Sequence, residues 1–182
     1  MDYRLEDLEI DKTATASNVR EFFKPSGKFE TYLRRAGFTR FDLKSPQIDP
    51  TGISGSHGFN AQENSAVAFF DYQNKCLAVY STIAHCDFSS NPANPNRFNR
   101  EILRLCYIEE LEDWQVAERI GLSSSRYRDL KQLALYDFAE RLPIYAFKFH
   151  TKVPDLRVPM EAIHAGKKNT KQNIKGTKKR RV

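Results

Sequence analysis

Between Val116 and Leu130, apolar, small and turn-forming residues fall in an order that few pairs of helices require. Val116, Ala117 and Ile120 make the inner face of a helix only about two turns long. Gly121 follows where a sharp turn needs a positive φ, and Leu122 returns toward the core. Ser123-Ser124-Ser125 then opens another helix, with Tyr127, Leu130, Ala134 and Phe138 turned inward. Ahead of this pair, Phe98, Ile102, Leu105 and Cys106 share one helical face that stops around Leu111 to Asp113. Ala117 has to be small because two helices cross closely there. The spacing predicts three tightly joined helices over residues 99–142, a helix-turn-helix module that leaves the outer face of its third helix free.

That outer face is expected to carry Ser124, Ser125, Arg128, Lys131 and Gln132, with Arg126 near its edge. Hydroxyl, amide and guanidinium groups are those that contact base edges and phosphates, so the expected partner is double-stranded DNA. Residues 123–135 hold Arg126, Arg128 and Lys131 against Asp129 alone. The preceding helices are acidic through Glu101, Glu109, Glu110, Glu112, Asp113 and Glu118, and phosphate would repel these groups if they faced it. They are expected to point elsewhere, toward another protein.

Overall charge says less than its location. Residues 166–182 contain eight lysines and arginines and no acid, so removing them from the formal net charge of +6 leaves −2 for the rest of the chain. This tail, with Lys178, Lys179, Arg180 and Arg181, is expected to be disordered and is read as a sequence-independent DNA or RNA arm, the alternative being a solvated end. Three widely spaced cysteines, Cys76, Cys86 and Cys106, suit free thiols in a reducing cytosol. No signal-peptide pattern and no apolar run of about 20 residues is present, so the expectation is a cytoplasmic protein without a membrane span.

The rest of the chain reads as helix and loop. Val19, Phe22 and Phe23, then Phe29, Tyr32, Leu33 and Ala36, predict two short helices broken near Pro25 and Gly27. Residues 42–60, with two prolines and three glycines, read as loop. Asn60 with Glu63 has the form of a helix start. For residues 65–86 helix is favoured over a hairpin turning at Gln73-Asn74-Lys75. Pro92 and Pro95 among three asparagines mark a linker at 91–97. The expected organisation is all-α: an N-terminal helical lobe (1–90), the linker, the module (98–142), an extended C-terminal segment (143–165) after a helix ended by Pro143, and the basic tail (166–182).

The stretch EILRLCYIEELEDWQVAERIGLSSSRYRDLKQLALYDFAERL resembles the C-terminal module of the ArpU-type phage transcriptional regulators, which is related to sigma-factor region 4. LKSPQIDPTGISGSHGFNAQEN and the segment ending Ile83-Ala84-His85-Cys86 resemble that family's N-terminal half, so the likeness spans about residues 13–142. The matched positions in the third helix are Tyr127-Arg128, Leu130-Lys131, Ala134-Leu135 and Phe138-Ala139. The basic tail and the triple serine depart from the pattern. The resemblance implies a phage or prophage protein that activates late or lysis-related genes with host RNA polymerase.

Other motifs carry less. His85-Cys86-Asp87 has the residue types of a nucleophile site, but neighbours in sequence point apart and form no in-line relay. With no CxxC or HxxxH, a zinc site is not expected, nor any cofactor or catalysis. Gly52, Gly55 and Gly58 lack the Lys-Ser/Thr ending of a phosphate loop. Trp114 reads as core or a helix-end contact. Two rival classes remain: a phage DNA-packaging subunit of the small-terminase type, which would form a ring of subunits, and a polymerase-binding module that never touches DNA. A homo-oligomer is compatible with all three.

Overall fold

A computed structural model describes residues 9–44, 61–86 and 95–160, with the side chains of 44, 61–65 and 95 left aside. Ser45-Pro46, Asn60, Asp87 and the whole basic tail lie outside the described residues. Those that are described form helices and turns, with no strand beyond one isolated bridge between Ile10 and Pro159. The all-α expectation holds at that level. No described helix is long and apolar enough to cross a membrane.

Helix α1 (Lys12–Phe23) starts where the Asp11 carboxylate accepts from the N–H groups of Thr13 and Ala14, both at 2.8 Å. It stops at a turn through Pro25, and α2 (Lys28–Ala36) begins after Gly27. A Cβ on Gly27 would sit 2.4 Å from the carbonyl oxygen of Phe22, so only glycine lets α2 fold back this closely. The two helices broken near Pro25 and Gly27 are therefore present as expected.

Helix α3 (Ala61–Ala84) runs straight through Gln73-Asn74-Lys75, so the favoured helix and not the hairpin forms here. Cys76, Val79, Thr82 and Ile83 supply its buried stripe. At the other end of the helix, Ala66, Val67, Ala68, Phe69 and Phe70 are all exposed, although none is polar.

Helix α4 (Asn99–Tyr107) is entered through a short 3₁₀ turn at Pro95–Phe98, and α5 (Asp113–Arg119) and α6 (Ser124–Lys148) follow. The 25 residues of α6 form the axis of the molecule, with α1, α3 and α4 packed on it. Phe138, fully buried, meets the rings of Phe22 and Phe23 at 6.3 and 5.1 Å. Phe23 in turn stacks on Tyr107 of α4 at 4.3 Å.

Buried residues from α1, α2, α3, α4, α5 and α6 accordingly make one continuous core. The expected division into a lobe at 1–90 and a module at 98–142 does not separate two cores. The residues of the expected linker that are described, Pro95 to Arg97, belong to the 3₁₀ turn that leads directly into α4.

Pro143 does not end the helix. It lies inside α6, and residues 143–148 are helical where an extended segment was expected. Proline removes the N–H that would reach the carbonyl of Ala139, a loss of roughly 3 kcal/mol in an ordinary helix interior. Here Leu142, Tyr145 and Ala146 are all buried on both sides of it, and Tyr145 stacks on His85 at 5.0 Å. Tertiary packing outweighs the local penalty.

The chain becomes extended only beyond His150. Asp11 N–H donates to the carbonyl of Val158 (2.9 Å), Met160 N–H to that of Glu9 (2.8 Å), and Val158 N–H to the Thr15 hydroxyl (3.0 Å). These bonds tie the C-terminal segment to the start of α1.

Candidate nucleic-acid interface

The geometry of α5 and α6 follows from a few residues. At the start of α5, the Gln115 amide oxygen accepts from the Glu112 N–H at 2.9 Å, as in a capping box. At its end Gly121 adopts φ +69°, the Gly121 N–H donates to the carbonyl of Glu118 (3.1 Å), and the Leu122 N–H reaches that of Ala117 (2.9 Å). This paired closure is a Schellman turn, and it brings the chain round within three residues of the last turn of α5. Ser123 then caps α6, its hydroxyl accepting from the Arg126 N–H at 3.4 Å.

Val116, Ala117, Tyr127 and Leu130 are buried between the two helices, with Ile120 and Leu122 packed against them. A polar brace supplements this wedge. The Tyr127 hydroxyl donates to the Asp113 carboxylate at 2.8 Å and lies 3.1 Å from the Cys106 sulfur. Lys131 forms an ion pair with the same carboxylate. Burial alone would push the Asp113 carboxyl up, but bonds from Lys131 and Tyr127 and the charges of Lys131 and Arg20 hold it below the usual carboxylate range. The Tyr127 phenol is pushed up, first by burial and then by Cys106 and Asp113.

Of the six residues expected on the outer face, Ser124, Ser125, Arg126 and Arg128 are exposed along the first turns of α6. Neither arginine pairs with an acid among the described residues. Lys131 is different: its side chain is only 15% exposed, and its ammonium also sits 5.8 and 5.9 Å from the ring centres of Tyr107 and Tyr127. It ties α6 to α5 rather than facing outward. The reason lies in the helical period, since residue 131 is four after Tyr127 and three before Ala134 and falls on the inner stripe.

Gln132 points away from that stripe, yet it too has a partner. Its amide oxygen accepts from the Arg20 guanidinium of α1 at 2.7 Å. The expected face is thus continuous from Ser124 to Arg128, and beyond it α1 contributes. Lys178, Lys179, Arg180 and Arg181 lie outside the described residues.

Trp114 is 66% exposed, so it is not core. On α5 the buried residues Val116 and Ala117, together with Asp113 facing Tyr127, define the inner side, and residue 114 lies well round from it. Its indole N–H is a donor in the first turn of α5, a functional candidate that sequence reasoning assigned to packing.

Of the other motifs, Gly52, Gly55, Gly58 and Asp87 lie outside the described residues. His85 Nδ1 lies 2.7 Å from the carbonyl oxygen of Ser81, and Cys86 is buried. Burial pushes the Cys76 thiol up to about 12, far from a reactive thiolate. Among the described residues no group of three or more His, Cys, Asp or Glu side chains is arranged to hold a metal ion. No protein-family model, curated protein or solved structure matches the chain.

Proposed function

We propose that the chain binds double-stranded DNA through the first turns of α6 and acts as a sequence-specific transcriptional regulator of phage or prophage origin, of the ArpU type. The observation that carries this reading is the exposed run Ser124, Ser125, Arg126 and Arg128, set at a fixed angle by the Gly121 turn and the buried wedge behind it. A helix N-terminus of this kind offers unpaired backbone N–H groups to phosphate, while the hydroxyls and guanidinium groups offer donors to base edges. In this helix-turn-helix reading α5 lies across the DNA backbone and α6 enters the major groove.

Host RNA polymerase is the proposed protein partner, with late or lysis-related genes as targets and activation as the effect. Glu112, which caps α5, and Glu118 within it are exposed and offer the acidic contact. The basic tail with Lys178, Lys179, Arg180 and Arg181 adds sequence-independent attraction to the duplex. Repeated selection from a pool of random duplexes tests the reading: the intact protein enriches one sequence motif, and Arg128→Ala reduces enrichment without lowering the melting temperature. A pool that stays random after selection contradicts it.

A further inference from the structure

The bond between Arg20 and Gln132 joins two helices that the sequence suggested were in different lobes. Arg20 stands exposed on α1, next to Val19 and two residues before Phe22, both of which anchor α1 on the core. Its guanidinium carries only donors, so the amide oxygen of Gln132 has to face it, and the amide nitrogen has to face away. Gln132 is four residues after Arg128 and seven after Ser125, which puts it on the same outward stripe of α6. Arg20 also lies close enough to Asp113 and Tyr107 to act on the ionisation of both, which places it where α1, α4, α5 and α6 meet.

A glutamine that reads adenine needs both ends of its amide, the oxygen accepting from N6 and the nitrogen donating to N7. Here the oxygen is drawn toward α1. What this bond leaves over on the pair is the amide N–H₂ and the remaining guanidinium N–H groups, all donors, together with the arginine's positive charge. The chemistry that matches a cluster of donors with a charge is a phosphate oxygen, not an adenine edge.

We propose that Arg20 and Gln132 together form a phosphate clamp at the edge of the DNA-binding face, so that α1 is part of that face and Gln132 positions the duplex instead of reading it. This inference rests on the proposed DNA-binding role of α6. The clamp has to act on every sequence alike, because phosphate carries no sequence information.

The test is a salt titration of the full-length protein on a duplex carrying the selected motif and on a scrambled duplex. Arg20→Ala is expected to weaken binding equally on both and to reduce the slope of log K against log salt by about 0.9, the loss of one phosphate contact. Arg20→Lys keeps the charge and retains the wild-type slope. Gln132→Ala weakens both duplexes equally with little change in slope, and the Arg20→Ala, Gln132→Ala double variant loses less than the two single losses combined.

An unchanged slope and affinity in Arg20→Ala, with binding still lost in Arg128→Ala, overturns the clamp while leaving the role of α6 intact. A change in base preference at one motif position in Gln132→Ala also overturns it. If the wild-type protein binds neither duplex, the clamp falls together with the reading on which it rests.

Discussion

Replacing Gly121 with alanine isolates the backbone cost of the turn that aims α6. A Cβ at this position would meet no atom within 4 Å, so no clash contributes. What remains is φ +69°, a left-handed conformation that costs an L-residue about 1–2 kcal/mol. Alanine returns roughly 0.4–1 kcal/mol of this, because its unfolded chain has less freedom than that of glycine. The net destabilisation is about 1 kcal/mol, which for a chain of this size lowers the melting temperature by about 2–4 °C. Gly121→Asn is expected to lose less, because asparagine enters the left-handed region more readily. Urea titration of the three proteins, followed by circular dichroism, measures both differences. An alanine variant as stable as wild type, or an asparagine variant no better than alanine, would refute the reasoning.

Phe138→Ala removes a ring buried against Phe22 and Phe23 and is expected to cost about 3–5 kcal/mol, lowering one cooperative transition for the whole described fold. Two separate unfolding transitions in calorimetry would contradict a single core. The Asp113 carboxyl titrates below its usual value in the folded state, so its contribution to stability is present above the unfolded value near 3.8 and is lost as pH falls through the folded one. Asp113→Asn is therefore expected to be less stable than wild type above the unfolded value near 3.8, with the two denaturation midpoints converging as pH falls through the lower, folded value; a gap that stays constant as acid is added would refute the assignment. Lys131→Ala is expected to lower stability by about 1 kcal/mol through loss of the Asp113 brace, while leaving the salt dependence of DNA binding unchanged. A salt slope reduced as much as in Arg128→Ala would place Lys131 on the DNA instead.

The helices of this chain were legible because their buried stripes keep a strict period. Val19, Phe22, Phe29 and Leu33 gave α1 and α2, and Tyr127, Leu130, Ala134 and Phe138 gave the inner face of α6. The turn at Gly121 was legible from glycine placed between Ile120 and Leu122. What failed to show was long-range. Pro143 carries a strong local signal to stop, and only the burial of Leu142, Tyr145 and Ala146 against other helices overrides it. The single core was hidden because two prolines among asparagines look like a boundary, whereas the docking of α1 on α6 depends on residues more than a hundred positions apart.

At the candidate site the pattern was partly readable. Ser124, Ser125, Arg126 and Arg128 follow from the outward positions of one helix. Lys131 could have been assigned inward by the same arithmetic that placed Tyr127 and Ala134. Trp114 could have been assigned outward from the positions of Val116 and Ala117. The Arg20 contact with Gln132 had no signal in either helix alone, since Gln132 reads as a DNA-facing residue of α6 and Arg20 as an ordinary exposed residue of α1.

The most direct test of the central claim is footprinting of the intact protein on genomic DNA at fixed salt, beside an Arg126→Ala, Arg128→Ala double variant with an unchanged melting temperature. Protection of a discrete site that disappears in the variant is the predicted result. Absence of any protected site, or protection that survives the double substitution, would contradict DNA recognition by the first turns of α6.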